Sequence, residues 1–472
     1  MAIEAPPREP LSDPVMPTGS TGPAAIVDAA GRPVADLPVL QLIRISLYWL
    51  GLTVVWSGLL DIVNGRLQFT GLVPKGSEGA GAAEIAIAGA VIAILVQPTV
   101  GQISDFTKSR WGRRKPYIFI GSTLDLLFLW AIATSNTVVA LAVFVALLQF
   151  SSNFAQGPFQ GYVPDLVPAK QVGLASGLMG LFSSMGNILG YAIAALAISL
   201  SATDPNAFFY ATLAIGVIEF GTMLSVVVHV TEGRPPRPRE GRSWTTIVRE
   251  VWAPDLLGER SFLWFLGSRF FILLAGSLLL SLSVFYLGQT FGLDAKATGD
   301  TKLVLLAIGA VATILVIIPA SRLSDRIGRK RVIYGVCAVG TLSLLIVGLA
   351  PSIAVGAVGV ALYGMANGSF LAVDWALMTD IIPKASAGRY MGISNVATAS
   401  AGPVALVLGG AAVMDTVNRG LGYGTGPRAA LLLGAACYVV GAFLLRPVDQ
   451  RRREDAPSQP ERAPAAPTPD VA

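Results

Sequence analysis

The sequence is poor in charge, in cysteine and in histidine. Only 13% of its 472 residues are charged and 53% are apolar, whereas soluble domains carry about 25% charged residues. Its 2 cysteines and 1 histidine support neither a disulfide framework nor a histidine-based metal site. Walker and dinucleotide fingerprints do not occur, and no basic module with aromatic residues suggests nucleic-acid binding. We therefore expect a polytopic membrane protein that is no enzyme and has no cofactor, metal or nucleic-acid partner.

Long apolar runs predict about twelve membrane-spanning helices, each near the ~20 residues that a bilayer needs. The predicted spans are 40–63, 84–104, 117–135, 138–162, 172–200, 207–230, 262–287, 301–320, 332–349, 353–378, 391–414 and 428–445. Polar, Pro-rich tails at 1–36 and 447–472 are predicted to be disordered. The central loop at 231–260 contains apolar residues at helical spacing over 243–252, which predicts a helix on the inner membrane surface.

A basic loop at 101–119, GQISDFTKSRWGRRKPYIF, separates the second and third predicted spans. Each Lys or Arg at the bilayer centre costs about 2.5–3.5 kcal/mol, so the loop lies outside the hydrocarbon. The positive-inside rule then places it in the cytoplasm, with both termini on the same side. A second copy, SRLSDRIGRK at 321–330, predicts two six-helix halves, 37–230 and 261–446, related in parallel.

Both copies of the loop contain an acid beside their cations. A carboxylate at one helix end can pair with an arginine at the start of the next helix in one access state only, which favours a gate. The alternative is a charge cluster that only sets topology. The candidate gate residues are Asp105, Arg110, Arg113, Arg114, Asp165, Asp325, Arg329 and Asp380.

The fourth predicted span carries a stripe of neutral amides among apolar residues. Gln149, Asn153, Gln156 and Gln160 lie at offsets that put them on one helix face. Because amides donate and accept hydrogen bonds without charge, the stripe suits a ligand covered in hydroxyl groups. The alternative is hydrogen bonding between helices, which averages about 0.6 kcal/mol per bond.

The tenth predicted span repeats these offsets with Tyr363, Asn367, Phe370 and Asp374. Amides, one acid and aromatic faces together predict a sugar site, for which Tyr48 and Trp56 of the first span are candidate stacking faces. In the fifth span, Gly186 and Gly190 form a GxxxG pattern that predicts a close helix contact.

The two basic loops carry a family resemblance. The second resembles the G-x-x-x-D-R-x-G-R-K loop of the major facilitator superfamily, with Ser321 in place of the first glycine. The first, SD-x-x-x-SR-x-GRR-x-P, resembles the sucrose–proton symporter branch and, more loosely, the glycoside–pentoside–hexuronide symporters. The resemblance implies an all-α, twelve-span fold with two six-helix halves around a central cavity, lined by the first, fourth, seventh and tenth spans.

The same resemblance implies roles for three charged residues. It places Asp61, Arg269 and Asp374 at the cavity, where an acid and a base that part on protonation would couple proton movement to access; Arg269 is also a candidate substrate contact. The alternative is a fixed structural ion pair. The sequence departs from the plant-type pattern at Gln149, which replaces a membrane acid, and at Gln160, which replaces an arginine. The plant-type coupling mechanism therefore does not carry over.

Together these features predict a secondary active transporter of a disaccharide or glycoside that works by alternating access with proton symport. We expect a monomeric, multi-pass protein of the inner or plasma membrane, with lipid, a small-molecule solute and protons as its partners. Two other functions remain open: an exporter of an amphipathic organic solute, and a transporter-like receptor or assembly factor that moves nothing.

Overall fold

The computed structural model describes residues 35–232, 241, 243–246, 260–381 and 387–448. The predicted tails lie almost entirely outside these ranges, as do most of the central loop and the predicted surface helix at 243–252. Within these ranges, twelve helices are long and apolar enough to cross a bilayer, and no strand occurs. The predicted all-helical, twelve-span fold is thus confirmed.

We label the twelve helices α1 to α12 in chain order. They are α1 Val39–Phe69, α2 Glu78–Ser104, α3 Lys115–Thr134, α4 Val138–Gln160, α5 Val172–Leu200, α6 Ala207–His229, α7 Arg260–Phe285, α8 Ala295–Ile327, α9 Arg329–Leu349, α10 Ile353–Ile381, α11 Ala387–Val404 and α12 Gly426–Leu444. A π-helical segment, Tyr286–Thr290, extends α7. Another, Ala405–Met414, joins α11 to a final helical segment, Asp415–Leu421.

Apolar side chains that stay exposed lie on the outward faces of these helices. On α8, Val311, Ile314, Leu315 and Ile318 recur every three or four positions, and all are exposed. In water such a stripe would be unfavourable, but in a bilayer it contacts lipid tails as apolar as itself. The exposed stripe therefore fits a helix at the lipid boundary.

Small residues allow the helices of the first half to pack closely. Gly186 and Gly190 of α5 face α1, where a Cβ on either would overlap a backbone carbonyl, that of Leu50 or Val54. The close contact predicted from the GxxxG spacing is present. Glycine is needed at these two positions because the two backbones approach within van der Waals range.

The largest extensions beyond the predicted bounds are in α1, α2 and α8, where polar residues near the helix ends find partners. The first span was predicted to end at residue 63, but α1 continues to Phe69, with Arg66 buried against the end of α3. There the Arg66 guanidinium donates to the Ile132 carbonyl at 2.9 Å and also to that of Ser135, which satisfies helix-end acceptors. Similarly, α2 begins at Glu78 and not at residue 84.

α8 begins at Ala295, before its predicted start at residue 301. The charged residues of this segment had suggested a loop. Asp294 caps it by accepting from the Ala297 N–H at 2.8 Å. In its first turns Lys296 pairs with Asp300 at 2.7 Å, one helical turn away. These local contacts allow a charged stretch to remain helical.

Candidate functional site

The first basic loop forms a buried ion-pair network, which we call the basic-face network: Asp105, Arg113, Arg114 and Asp165. The Arg114 guanidinium lies 2.7 Å from the Asp105 carboxylate and 2.8 Å from that of Asp165. Arg113 contacts Asp165 as well and lies 3.8 Å from Asp105. The network joins the end of α2, the start of α3 and the segment after α4. Two cations thus balance two carboxylates at a largely buried site.

Glu232, which the sequence did not single out, completes this network from the segment after α6. Its carboxylate accepts from the backbone N–H groups of Arg114 and Lys115, at 3.0 and 2.8 Å, and from the Tyr162 hydroxyl at 2.9 Å. An acid at a helix N-terminus satisfies unpaired donors and complements the helix dipole. The sequence signal that could have identified Glu232 is its position directly after the sixth predicted span, on the same side of the membrane as the start of the third.

Other gate candidates are placed differently. Arg110 and Asp325 are exposed, and Arg329 is half-buried. Next to Arg329, the Lys330 ammonium donates to the carbonyls of Arg446 and Val448, both at 2.8 Å. The side chain of Asp380 lies outside what the structure describes. Asp325 of the second copy is thus exposed, whereas its counterpart in the first copy, Asp105, is buried.

The amide stripe of α4 divides into two pairs. The Asn153 amide donates to the Gln149 backbone carbonyl at 2.7 Å and to its side-chain oxygen at 3.1 Å. Gln149 also packs on Gly89 of α2, where an added Cβ would collide with it. Gln156 and Gln160 are half-buried and have no hydrogen-bond partner among the described residues. Gln149 and Asn153 thus serve helix packing, whereas Gln156 and Gln160 keep their hydrogen-bonding capacity.

The α10 stripe is more deeply buried than that of α4. Tyr363 and Phe370 are buried and Asn367 is half-buried. The Tyr363 hydroxyl lies against Gly276 of α7, where a Cβ would stand 2.8 Å from it. The stripe therefore packs against α7 at its Tyr363 end.

Arg269 of α7 and Asp374 of α10 form the ion pair expected from the sequence. The Arg269 Nε lies 2.9 and 3.1 Å from the two Asp374 carboxylate oxygens, and both side chains are 4% exposed. The guanidinium also donates to the Ser394 carbonyl at 3.0 Å and to its hydroxyl. All three residues belong to the second half of the chain.

Asp61 of α1, by contrast, pairs across the two halves, with Lys302 of α8. The Lys302 ammonium lies 2.6 Å from the Asp61 carboxylate, whose side chain is fully buried. Lys302 also donates to the Ser283 hydroxyl of α7 and lies 5.7 Å from the centre of the Tyr191 ring of α5. Asp61 does not contact Arg269, the base with which the sequence grouped it.

The two aromatic candidates of α1 lie in different surroundings. Tyr48 is fully buried, with its ring centre 4.8 Å from that of Phe159. Its hydroxyl contacts that of Ser122 and donates to the Glu219 carboxylate at 3.3 Å. Trp56 is half-buried. The structure therefore places Tyr48 inside the first half, away from any role as an open stacking face in this conformation.

Two further acids lie beside Tyr48 in the core of the first half. Asp125 of α3 and Glu219 of α6 are both buried there. Asp125 also accepts from the Ser151 hydroxyl of α4. This cluster links four helices of the same half.

The halves meet along what we call the seam, at the face opposite the basic loops. Asp415 accepts from the N–H groups of Gly79 and Ala80, at 3.1 and 2.7 Å, and so caps α2 from the other half. A Cβ on Gly79 would overlap the Gly410 carbonyl. The backbones of α2 and the α11 extension are thus in direct contact.

More polar contacts between the halves follow the seam. They are Asn64 to the Ser281 carbonyl at 2.7 Å, Gln289 to Gln68 at 3.0 Å, and Tyr423 to Glu78 at 2.9 Å. Burial raises the pKa of the Tyr423 phenol to about 12, so this hydroxyl stays protonated and donates to Glu78. The seam is therefore closed in this conformation.

Comparison with known proteins fits this architecture. The family model described as "Major Facilitator Superfamily" matches residues 42–406 and 303–470. The chain belongs to this superfamily of membrane transporters and is not an enzyme. The family expected from the two basic loops is thus confirmed.

The sequence is similar to sucrose transport proteins over part of its length. It is 34% identical over 127 residues to sucrose transport protein SUT1 of Oryza sativa subsp. japonica, covering 22% of this chain and 24% of that protein. Against sucrose transport protein SUC4 of Arabidopsis thaliana it is 27% identical over 187 residues, covering 35% and 36%. The chain thus matches about a quarter to a third of the length of these relatives.

Solved structures share the fold over nearly their whole length. A D-xylose–proton symporter superposes with a TM-score of 0.65 at 16% identity, covering 87% of this chain and 97% of the symporter. The nucleoside transporter NupG superposes with a TM-score of 0.62 at 15% identity, covering 86% and 98%. At these identities the likeness shows the fold alone.

Proposed function

We propose that this protein is a secondary active transporter that carries a disaccharide or other glycoside by alternating access, in symport with protons. The observation that carries the proposal is the pair Gln156 and Gln160 of α4, which are neutral, half-buried and without a hydrogen-bond partner in the described part of the chain. An unpaired amide within a membrane span, such as that of Gln156, is costly unless it faces water or a ligand, whereas Gln160 ends α4 next to the basic-face network. Sugars offer the hydroxyl groups that such amides bind.

Partial similarity to proteins named as sucrose transporters supports the substrate class. Both sequence departures, Gln149 and Gln160, replace charged residues of the plant-type pattern with neutral amides. Because Gln149 packs on Gly89 of α2, we assign this amide to helix packing and not to solute binding. Gln160 has no hydrogen-bond partner among the residues that the structure describes, and a neutral contact there suits an uncharged sugar.

The closed seam supports alternating access. In a carrier of this kind, contacts between the halves close one face of the protein while the other face is open. During the transport cycle these contacts break and contacts at the opposite face form. Here the two halves are joined at the seam. We infer that this is the state facing the basic loops, which the positive-inside rule assigns to the cytoplasm.

Proton coupling is proposed to involve Asp374, Arg269 and Asp61. Each acid is buried beside one cation in the described part of the chain, and a proton on either carboxyl would remove its attraction to that cation. We place the protein in the inner or plasma membrane as a monomer with both termini in the cytoplasm. The halves at 37–230 and 261–446 would move against each other.

Counterflow in proteoliposomes tests the substrate class. Vesicles that contain the purified protein and an unlabelled sugar are diluted into the same labelled sugar, for a panel of mono- and disaccharides. We expect transient accumulation of at least one disaccharide or glycoside, and acidification of the lumen, followed by a trapped dye, when that sugar enters.

Two other outcomes of this experiment would favour a different function. Counterflow of amphipathic organic ions without any sugar would favour an exporter. Failure of every solute, together with a protein that copurifies with the chain, would favour a transporter-like receptor or assembly factor.

A further inference from the structure

A groove of about 540 Å³ lies where the start of α3 meets the end of α6, beside the first basic loop. We call it the α3–α6 groove. Arg110 and Lys115 line it on one side, and Leu224 and Val228 of α6 line it on the other. Its volume falls within the roughly 300–1,000 Å³ that is usual for small-molecule sites. Both helices belong to the first half, so the groove does not depend on contact between the halves.

One wall of the groove is apolar and open to the surroundings. Leu224 and Val228 are one helical turn apart on α6 and are 41% and 62% exposed. Phe119 lies one turn beyond Lys115 on α3 and is half-buried. Trp111 is exposed, with its ring centre 6.0 Å from that of Phe119. Tryptophan at the end of a span is typical of the membrane–water interface, so this end of the groove lies at the level of the lipid headgroups.

The groove also contains cations that have no counter-ion in the described part of the chain. Arg110 is exposed and Lys115 is half-buried, and neither forms a salt bridge there. The acid that lines the groove is Glu232, whose carboxylate already accepts from two backbone N–H groups and from the Tyr162 hydroxyl. Three donors thus engage this acid within the protein, and the two side-chain cations can bind an anion.

A ligand that fits this groove has an anionic head and an apolar body. By the positive-inside rule this end of the protein faces the cytoplasm, where the membrane leaflet contains anionic lipids. We propose that the α3–α6 groove binds an anionic phospholipid of the surrounding bilayer. The lipid phosphate lies at Arg110 and Lys115. One acyl chain follows Phe119 and Leu224 towards the bilayer centre, as lipids do at basic pockets between membrane-spanning helices.

Quenching of Trp111 fluorescence by bromine locates the lipid. Phosphatidylglycerol with brominated acyl chains is added to the whole purified chain in detergent micelles. The Trp111 signal is the difference between a protein and the same protein with Trp111→Phe. We expect brominated phosphatidylglycerol to quench this signal at concentrations at which brominated phosphatidylcholine leaves it unchanged. In Arg110→Gln/Lys115→Gln the concentration for half-quenching should rise about 30-fold, since both cations near the headgroup are lost.

Arg322→Gln/Arg326→Gln is the matched control. It removes two charges from the second copy of the basic loop, where both arginines are exposed. Its half-quenching concentration should equal that of the natural protein. Glycerol 1-phosphate, which has the phosphate and no acyl chains, should not displace the brominated lipid even in excess. This arm distinguishes a membrane lipid from a soluble phosphate compound.

Equal quenching by the two brominated lipids would overturn the proposal, because the cations would then select no headgroup. An unchanged response in Arg110→Gln/Lys115→Gln, or displacement by glycerol 1-phosphate, would overturn it as well. If the double variant fails to fold, Arg110→Gln alone, at an exposed position, should raise the half-quenching concentration about 5-fold. An unchanged value there has the same consequence.

The measurement involves no transport, so it is independent of the proposed solute. Quenching through Arg110 and Lys115 in a protein without sugar counterflow supports the lipid site while the sugar proposal fails. Sugar counterflow in a protein whose Trp111 does not distinguish the two lipids supports the opposite conclusion.

Discussion

Gly112 and Glu232 fit so closely that a Cβ on Gly112 would lie 2.7 Å from the Glu232 carboxylate. Gly112 also has φ +112°, a conformation that side chains with a Cβ rarely adopt. We therefore predict that Gly112→Ala lowers the melting temperature in detergent, with a loss of about 1–3 kcal/mol in the free energy of unfolding. Gly177→Ala in α5 is the control and should not destabilise, because an added Cβ there would meet no described atom within 4 Å outside its own stretch of helix. Equal melting temperatures for the two variants would contradict the prediction.

Arg114 should be essential for stability, since it contacts both acids of the basic-face network. Arg114→Ala removes a guanidinium that both the Asp105 and the Asp165 carboxylates contact, and breaking a buried ion pair in this way costs about 3–5 kcal/mol. Arg110→Ala removes the same charge from an exposed position of the same loop, and should change stability by about 0.5 kcal/mol or less. Thermal unfolding of both variants checks this. A loss no larger for Arg114→Ala would mean that the network contributes little.

Asp374→Asn tests proton coupling at the Arg269 pair. Asparagine keeps an oxygen that can accept from Arg269 but cannot exchange a proton, so the variant should lose uphill sugar uptake while sugar exchange continues. Uptake under a pH gradient and counterflow of the same sugar measure the two activities. Loss of both activities, or of neither, would argue against a coupling role for Asp374.

The two pairs of amides on α4 should respond differently to alanine. Gln156→Ala and Gln160→Ala each remove a side chain proposed to bind sugar, so each should raise the half-saturating sugar concentration about 2- to 10-fold. Their melting temperatures should stay unchanged. Gln149→Ala should instead lower the melting temperature, since it removes packing on Gly89 and a partner of Asn153. Identical behaviour of the three variants would remove the distinction between packing and binding.

The fold could be predicted because it depends on patterns local to each segment. Apolar runs of sufficient length give helices in a bilayer whatever their neighbours. Helix ends were predicted less well. Arg66 and Lys296 looked like loop residues until the structure showed their partners, a helix end for one and Asp300 for the other.

The site could be predicted only where both partners carried a visible signal. Arg269 and Asp374 are charges inside apolar runs that the family resemblance placed at the cavity, and the structure pairs them. Lys302 lay at the start of its predicted span and gave no hint of its partner in α1. Glu232 was missed for a similar reason, since capping of α3 depends on the packing of α6 and cannot be read along one helix.

Asp415 caps α2 from the other half, so the hydrogen bonds of the first turn of α2 depend on contact between the two halves. The acceptor for the Gly79 and Ala80 N–H groups belongs to the opposite half of the chain. Each separation of the halves would release these two amides to solvent. Their hydrogen–deuterium exchange would then record how often the protein opens, without any label or transported solute.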